Sequence, residues 1–524
     1  MVSCDNSIRY SNSKHLVKTI IITGIGFVCT YMVDFISTPY ITDALGTDAY
    51  GYVSLAKQFS VYAMIISTAI NSYVSRYIGV EYHKKNFERS NLYFGTAIIS
   101  NVVLGMMAVF FSIVFSYYFT YFFDIRDMLL SDVRLLFIFI FINYGIVNVS
   151  TAMTSSYYVA NRLDKNGIVK MLADIVELLV LLILIKLYAV KTYYIAIALI
   201  VRNTIVLIFA YYNIERLTPN LSLKRIHFDT DSFKRLIVNG VWNSMNSVGN
   251  TLNSGLDLII TNAYIGGAAM GEIAIVKVIT NIAGVMFQLV AQPFQPLLLK
   301  AYAMNDKKLL IQELKISMKM SSFLGNLFFG LVVAIGLKYY KLWVPKQNCF
   351  LLYKLTIIGC INCVFEGIVT PLYYIYTLEV KNRFPCVVTI IGGLVNVFGM
   401  IVLLKFTTLG IYSILITTTV VMSFISLVTN PIYMAYCLKM HWGSFYSNIF
   451  RCAVSAVVMC IVFGIVSAPV HIESWVMMLA WAVLLSVIGI IIHYFVVTSK
   501  EEKTYILERI KKMTNNIGGR NESV

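Results

Sequence analysis

The sequence predicts an all-α polytopic membrane protein of about fourteen transmembrane helices: two pseudo-symmetric six-helix lobes plus two C-terminal helices. Three observations carry this. Of 524 residues, 58% are hydrophobic and only 13% charged, with a mean hydropathy of +0.75, whereas a soluble domain is roughly a quarter charged. Apolar stretches such as TAIISNVVLGMMAVFFSIVFSYYF (96–119) and VELLVLLILI (176–185) are long enough, with their flanks, to cross about 30 Å of hydrocarbon as helices. Alternating strands of about ten residues, the mark of an outer-membrane barrel, are absent. Finally, LGTDAYGYVSLAK (45–57) and IGGAAMGEIAIVK (265–277) share Gly-x4-Gly-x5-Lys at an offset of 220 residues.

Apolar segments separated by charged or Gly/Pro-containing breaks place spans at 17–41, 50–80, 91–120, 132–159, 167–188, 192–213, 234–264, 271–302, 316–340, 350–377, 383–405, 409–437, 447–468 and 473–498. The polar first 18 residues and the long apolar segment after them read as a retained first helix, not a cleaved signal. With the N-terminus inside, the segments on that side with the adjoining span ends hold 29 Lys and Arg, the outer segments with theirs nine, and four remain further within the spans: Lys57, Arg76, Arg202 and Lys277. This bias puts both termini in the cytoplasm. The net charge of +16 is therefore mostly a topology signal and does not point to nucleic acid.

The repeat extends beyond its motif. Lys14-His-Leu-Val faces Lys234-Arg-Leu-Ile at the same offset, each just before an apolar helix. Six spans separate the copies, an even number, so the halves share an orientation and an axis along the membrane normal relates them. The expected division is an N-lobe over 1–215, a cytoplasmic loop over 216–233, a C-lobe over 234–438, the last two spans over 439–498, and a basic cytoplasmic tail over 499–524. The motif glycines, Gly46 and Gly51, then Gly266 and Gly271, fall in short outer turns where a side chain would restrict the backbone.

Polar residues in the spans mark the candidate site. Asn243, Asn246, Asn250, Asn253 and Asp257 follow helical spacing in span 7 and share a face. In span 8, Lys277, Thr280, Asn281, Gln288 and Gln295 cluster similarly. Span 2 offers Lys57, Ser60, Thr68 and Ser75, and span 1 Thr23, Thr30, Asp34 and Ser37. Such groups cannot face lipid, so they line a hydrated cavity or bond one helix to another. The lysines lie six residues, about 9 Å, past the second glycine of each motif, so they either face the cavity or snorkel to the outer interface. Asp174 and Glu177 share a face of span 5 with Lys170, and Arg202 in span 6 is their natural ion-pair partner. Glu366 and Asp257 have no partner evident in sequence and stand as coupling-ion or substrate contacts. Cys360 and Cys363 read as small apolar fillers. No Walker motif, HExxH, GxSxG or acidic metal cluster occurs, so no enzyme activity, metal or cofactor is expected.

The passage TPYITDALGTDAYGYVSLAKQFSVY (38–62) resembles the N-terminal signature of bacterial polysaccharide flippases, the O-antigen and exopolysaccharide transporters of the multidrug/oligosaccharidyl-lipid/polysaccharide (MOP) superfamily. Pro39, Leu45, Gly46, Tyr50 and Gly51 carry the match. The resemblance implies a MATE-like MOP fold, a V-shaped cavity lined by spans 1, 2, 7 and 8, and alternating access in the bacterial cytoplasmic membrane. It implies a cargo of undecaprenyl-pyrophosphate-linked oligosaccharide units for O-antigen, capsule or exopolysaccharide. Membrane lipids, a coupling H+ or Na+, a glycan polymerase and chain-length proteins are the partners to consider. Amides suit sugar hydroxyls because they both donate and accept, and lysine offers a point charge for pyrophosphate. The rival readings are a drug or cation antiporter, for which twelve helices and acidic walls are expected, a lipid II flippase, and a non-transporting subunit of a glycan-assembly complex.

Overall fold

The computed structural model describes residues 28–29, 31–123, 125–160, 162–222, 227–291, 294–379 and 383–498, and all regular structure among them is helical. Thr23, Thr30 and the tail beyond 498 lie outside the described residues, as does the side chain of Gln288. The first half comprises α1 (31–45), α2 (Thr47–Asn71), α3 (Val74–His83), α4 (Phe87–Tyr117), α5 (Asp127–Val159), α6 (Leu163–Leu187) and α7 (Tyr194–Leu217). The second continues with α8 (Thr230–Ser254), α9 (Asp257–Tyr264), α10 (Gly267–Ala291), α11 (Gln295–Ala303), α12 (Lys307–Trp343) and α13 (Cys349–Val369). It ends with α14 (Tyr373–Leu378), α15 (Arg383–Phe406), α16 (Tyr412–Phe424), α17 (Asn430–Cys437), α18 (Tyr446–Ser467) and α19 (Trp475–Val497).

Helix starts fall where side chains can cap free backbone N–H groups. Asn86 accepts from the Arg89 amide, Asp306 from Leu309, Asn348 from Leu351 and Ser474 from Met477. Asp229 caps α8 by accepting from the Ser232 amide at 2.8 Å, and bonds from the Ser232 hydroxyl and amide hold its carboxyl below the usual range.

Among the described residues, eleven helices are long and apolar enough to cross a membrane. Three of the fourteen expected spans are missing from that count for stated reasons. Span 1 is described only in part. Helices α6 and α8 have 25 residues each, but α6 carries five Lys, Asp and Glu residues from Lys165 to Lys186 and α8 carries the amide stripe.

The 220-residue repeat survives residue by residue. Adding 220 to the bounds of α2, Thr47 and Asn71, gives those of α10, Gly267 and Ala291. The last residue of α3, His83, maps onto that of α11, Ala303, and the first residue of α4, Phe87, maps onto that of α12, Lys307. Their N-caps, Asn86 and Asp306, correspond, as do the left-handed residues before them, Lys85 and Asn305. Gly46 and Gly266 both have positive φ, 99° and 125°, a region that penalises a side chain. The second glycines meet each other. A Cβ on Gly271 would stand 2.0 Å from the Thr47 carbonyl oxygen, and one on Gly51 would stand 2.9 Å from the Gly271 nitrogen. The N-terminal ends of α2 and α10 thus cross backbone to backbone.

The chain forms two compact units. One comprises residues up to Val278 together with Thr389–Ile414; the other comprises Ile279–Val388 and the residues from Leu415 onward. In the first, Ile70, Ile78, Tyr93, Phe94, Tyr157, Ile214 and Leu236 form a buried core. In the second, α12 and α18 are bridged by Asn326, which donates to the Cys452 carbonyl at 2.9 Å. There α19 docks through His493, whose ring nitrogens lie 3.1 Å from the Ser455 hydroxyl and 3.0 Å from the Lys319 carbonyl.

Candidate functional site

The candidate site lies in the first unit, on α1, α2, α8, α9 and the N-terminal part of α10. Because α2 begins at Thr47, Lys57 follows the helix start by ten residues, about 15 Å at 1.5 Å per residue. Lys277 stands in the same place on α10. Half of a hydrocarbon layer about 30 Å thick is the same depth. The helices start before the second glycine of each motif, so the lysines lie further along them than the distance of about 9 Å counted from that glycine.

Both lysines are held by carboxylates. Lys57 Nζ donates to Asp34 Oδ1 of α1 at 2.6 Å, and the two side chains are 31% and 29% exposed. Lys277 Nζ lies 3.0 Å from Asp257 Oδ2 and also donates to the Ser254 carbonyl; the Lys277 and Asp257 side chains are 15% and 4% exposed. Asp257, expected to lack a partner, therefore has one in Lys277.

The stripe on span 7 is also corrected. Gly255 and Leu256 interrupt the helix between α8 and α9. Side chains from other helices compete there: Tyr62 Oη donates to the Gly255 carbonyl and Lys277 to the Ser254 carbonyl, oxygens that helical amides would otherwise engage. Asn243, Asn246 and Asn250 remain exposed along α8. Asn253 does not join them; it is 1% exposed and donates to the Thr389 carbonyl at 2.7 Å, while Asn396 of α15 donates to its own carbonyl at 2.7 Å. Asn253 fastens α8 to α15.

This split yields a test. Asn253→Leu removes a buried donor with its bonds to the Gly249 and Thr389 carbonyls, each worth about 0.5–1.5 kcal/mol; the expected result is a lower melting temperature in detergent. Asn250→Leu is expected to leave that temperature unchanged and to reduce export of any hydroxylated cargo.

A second charged group links α6 and α7. Arg202 Nε lies 2.5 Å from Asp174 Oδ1 and 3.2 Å from Glu177 Oε2, and its Nη1 donates to Asn203 Oδ1 at 2.9 Å. Asn203 continues to Asn143 Oδ1 of α5 at 2.8 Å. The offset positions in the second half are Leu394, Val397 and Met422, so nothing there repeats it.

The remaining expected residues are dispersed. Glu366, in the second unit, accepts from Asn362 Nδ2 at 3.3 Å, so it too has a partner, though no cation pairs with it among the described residues. Gln295 heads α11, because Pro296 in the first turn starts a new helix and divides the expected span 271–302. Pro39 lies within α1, and Gly46 is braced by Arg126, which donates to the Leu45 carbonyl at 2.6 Å and pairs with Asp48. Tyr62 and the Ser254 carbonyl were not legible as site groups, since no polar periodicity marks an aromatic residue or a backbone oxygen.

Residues 16–301, more than half of the chain, match the sequence family described as polysaccharide biosynthesis protein. The chain belongs to this family. This polysaccharide biosynthesis family protein is 23% identical over 475 residues to "Uncharacterized membrane protein EpsK" of Bacillus subtilis (strain 168), covering 91% of this chain and 94% of that one. Among solved structures, a multidrug resistance MATE family transporter of the MOP superfamily, inward-facing, superposes with a TM-score of 0.68 at 11% identity, over 80% of this chain and 99% of that one. Lipid II flippase MurJ, in an inward closed conformation, gives 0.68 at 14% identity, over 90% and 99%. The fold of this family member is that of MOP-superfamily transporters, as its helices and repeat imply.

Proposed function

We propose that this protein flips undecaprenyl-pyrophosphate-linked oligosaccharide units across the bacterial cytoplasmic membrane by alternating access, for O-antigen, capsule or exopolysaccharide synthesis. The observation that carries the reading is the pair of lysines at matching positions, ten residues into α2 and α10, in the two copies of the repeat. Two cations at one depth suit two phosphates, and an intramembrane charge is functional by default. The exposed amides Asn243, Asn246 and Asn250 suit hydroxyls, and membership of a polysaccharide biosynthesis family supports a glycan head. In this reading the lobes are 1–215 and 234–438, both termini are cytoplasmic, and H+ or Na+ drives the cycle. Glycan polymerase and chain-length proteins act on the exported unit.

The test is complementation of flippase-null strains that make defined glycans, scored by surface glycan and membrane protein level together. Restoration of at least one polysaccharide supports the reading. Restoration only of peptidoglycan synthesis in a lipid II flippase-null strain moves the cargo to lipid II, and failure in every strain at normal protein level ends the flippase reading. In the same cells, external maleimide is expected to label cysteines placed at Thr47, Lys191 and Lys346 and to miss Lys85, Lys224 and Lys308.

A further inference from the structure

Both proposed phosphate-binding lysines are already occupied by an internal anion. We propose that Asp34 and Asp257 are exchangeable counter-ions, which hold Lys57 and Lys277 in the empty carrier and surrender them to the phosphates of the cargo, Lys57 first. This rests on the reading of the lysines as phosphate ligands.

A bare ammonium at this depth is costly. A carrier that returns empty therefore needs an anion for each lysine, one that leaves or yields when the cargo arrives. The two halves meet this need with different residues. Adding 220 to 34 gives Ser254, not Asp257, yet Lys277 touches the Ser254 carbonyl and reaches Asp257 three residues further on. The carboxylate has moved by about one helical turn and the charge pairing has been kept. Side-chain packing alone gives no reason for that.

Exposure sets the order. Lys57 and Asp34 are 31% and 29% exposed, so water can take over the carboxylate once the ammonium turns to a phosphate. Asp257 is only 4% exposed and would be left almost dry, so its lysine yields less readily. Arg202 marks the contrast. It sits between two carboxylates whose side chains are 4% and 3% exposed, a setting that locks the cation. An ammonium carries three donors, so Lys57 can approach a phosphate before its bond to Asp34 breaks.

Carboxyl footprinting of the wild-type protein in nanodiscs, using carbodiimide and an amine, tests this with farnesyl pyrophosphate as the probe and farnesol as the tail-only control. Labelling of Asp34 is expected to rise on addition of the pyrophosphate, Asp257 to rise less, Asp174 to stay constant, and farnesol to do nothing. Asp34→Asn is expected to bind farnesyl pyrophosphate about two- to fivefold more tightly, the worth of a half-exposed ion pair. If the probe binds, Lys57→Gln weakens it, and Asp34 labelling stays constant or falls, exchange is wrong while the phosphate site stands. If the probe does not bind, or binds Lys57→Gln/Lys277→Gln as well as wild type, the phosphate-site reading fails and exchange fails with it.

Discussion

Replacement of Lys57, Asp34, Lys277 and Asp257 together by Gln, Asn, Gln and Asn is expected to abolish surface glycan while the protein stays in the membrane at its normal level. Lys277 cannot be tested cleanly alone. Lys277→Gln leaves Asp257, 4% exposed, as a buried carboxylate without its cation, and the damage could then be mistaken for lost transport. Removing each pair as a unit leaves no net charge behind, and replacing a buried pair with neutral groups is often neutral for stability. The cargo, however, loses both cations. A charge-assisted contact is worth about 1.5–3 kcal/mol, so each lost lysine weakens phosphate binding by about ten- to a hundredfold. If the pairs only pin helices together, the fourfold variant exports glycan as wild type does. That result, at matched protein level, would remove the lysines from the mechanism.

Arg202→Met is expected to be the most destabilising single change considered. It strips the shared cation from Asp174 and Glu177, both nearly dry, and breaking a buried pair by removing one partner costs about 3–5 kcal/mol. The measurement is the melting temperature of the purified protein, which should fall sharply. Adding Asp174→Asn and Glu177→Gln to Arg202→Met should restore most of it. Export by that triple variant then separates two roles. Normal export makes the cluster a fastening between α6 and α7; lost export from a stable protein makes it part of the driving mechanism.

Sequence reading performed unevenly, and the reasons are physical. Composition and periodicity located the spans because lipid leaves the backbone little choice but the helix. The repeat was legible because turns that require positive φ must keep glycine, as Gly46 and Gly266 do. The Arg202 cluster was legible because charges buried in a span need partners, and few were in reach. Span 7 was misread where side chains from elsewhere in the chain compete for helix carbonyls: Tyr62 and Lys277 take those of Gly255 and Ser254. No local pattern announces such competition. The same holds for Asn253, whose spacing matches its exposed neighbours although its amide is spent on Thr389. Periodicity assigns a residue to a face, not to an environment.

The polarity of α6 and α8 bears on how the protein is made. Neither is among the helices apolar enough to cross by composition, so neither can leave the translocon for lipid on hydrophobicity alone. Helix α6 needs α7, because Arg202 pairs with its buried Asp174 and Glu177, which predicts that the two enter the bilayer as a hairpin after Arg202 has been synthesised. Helix α8 emerges when α2 is already in place, and α2 receives it closely: Ser244 Oγ donates to the Ile65 carbonyl at 2.7 Å. A nascent chain stopped just after Leu187 should therefore leave its last helix loosely held and open to extraction by alkali, and one extended past Leu217 should not.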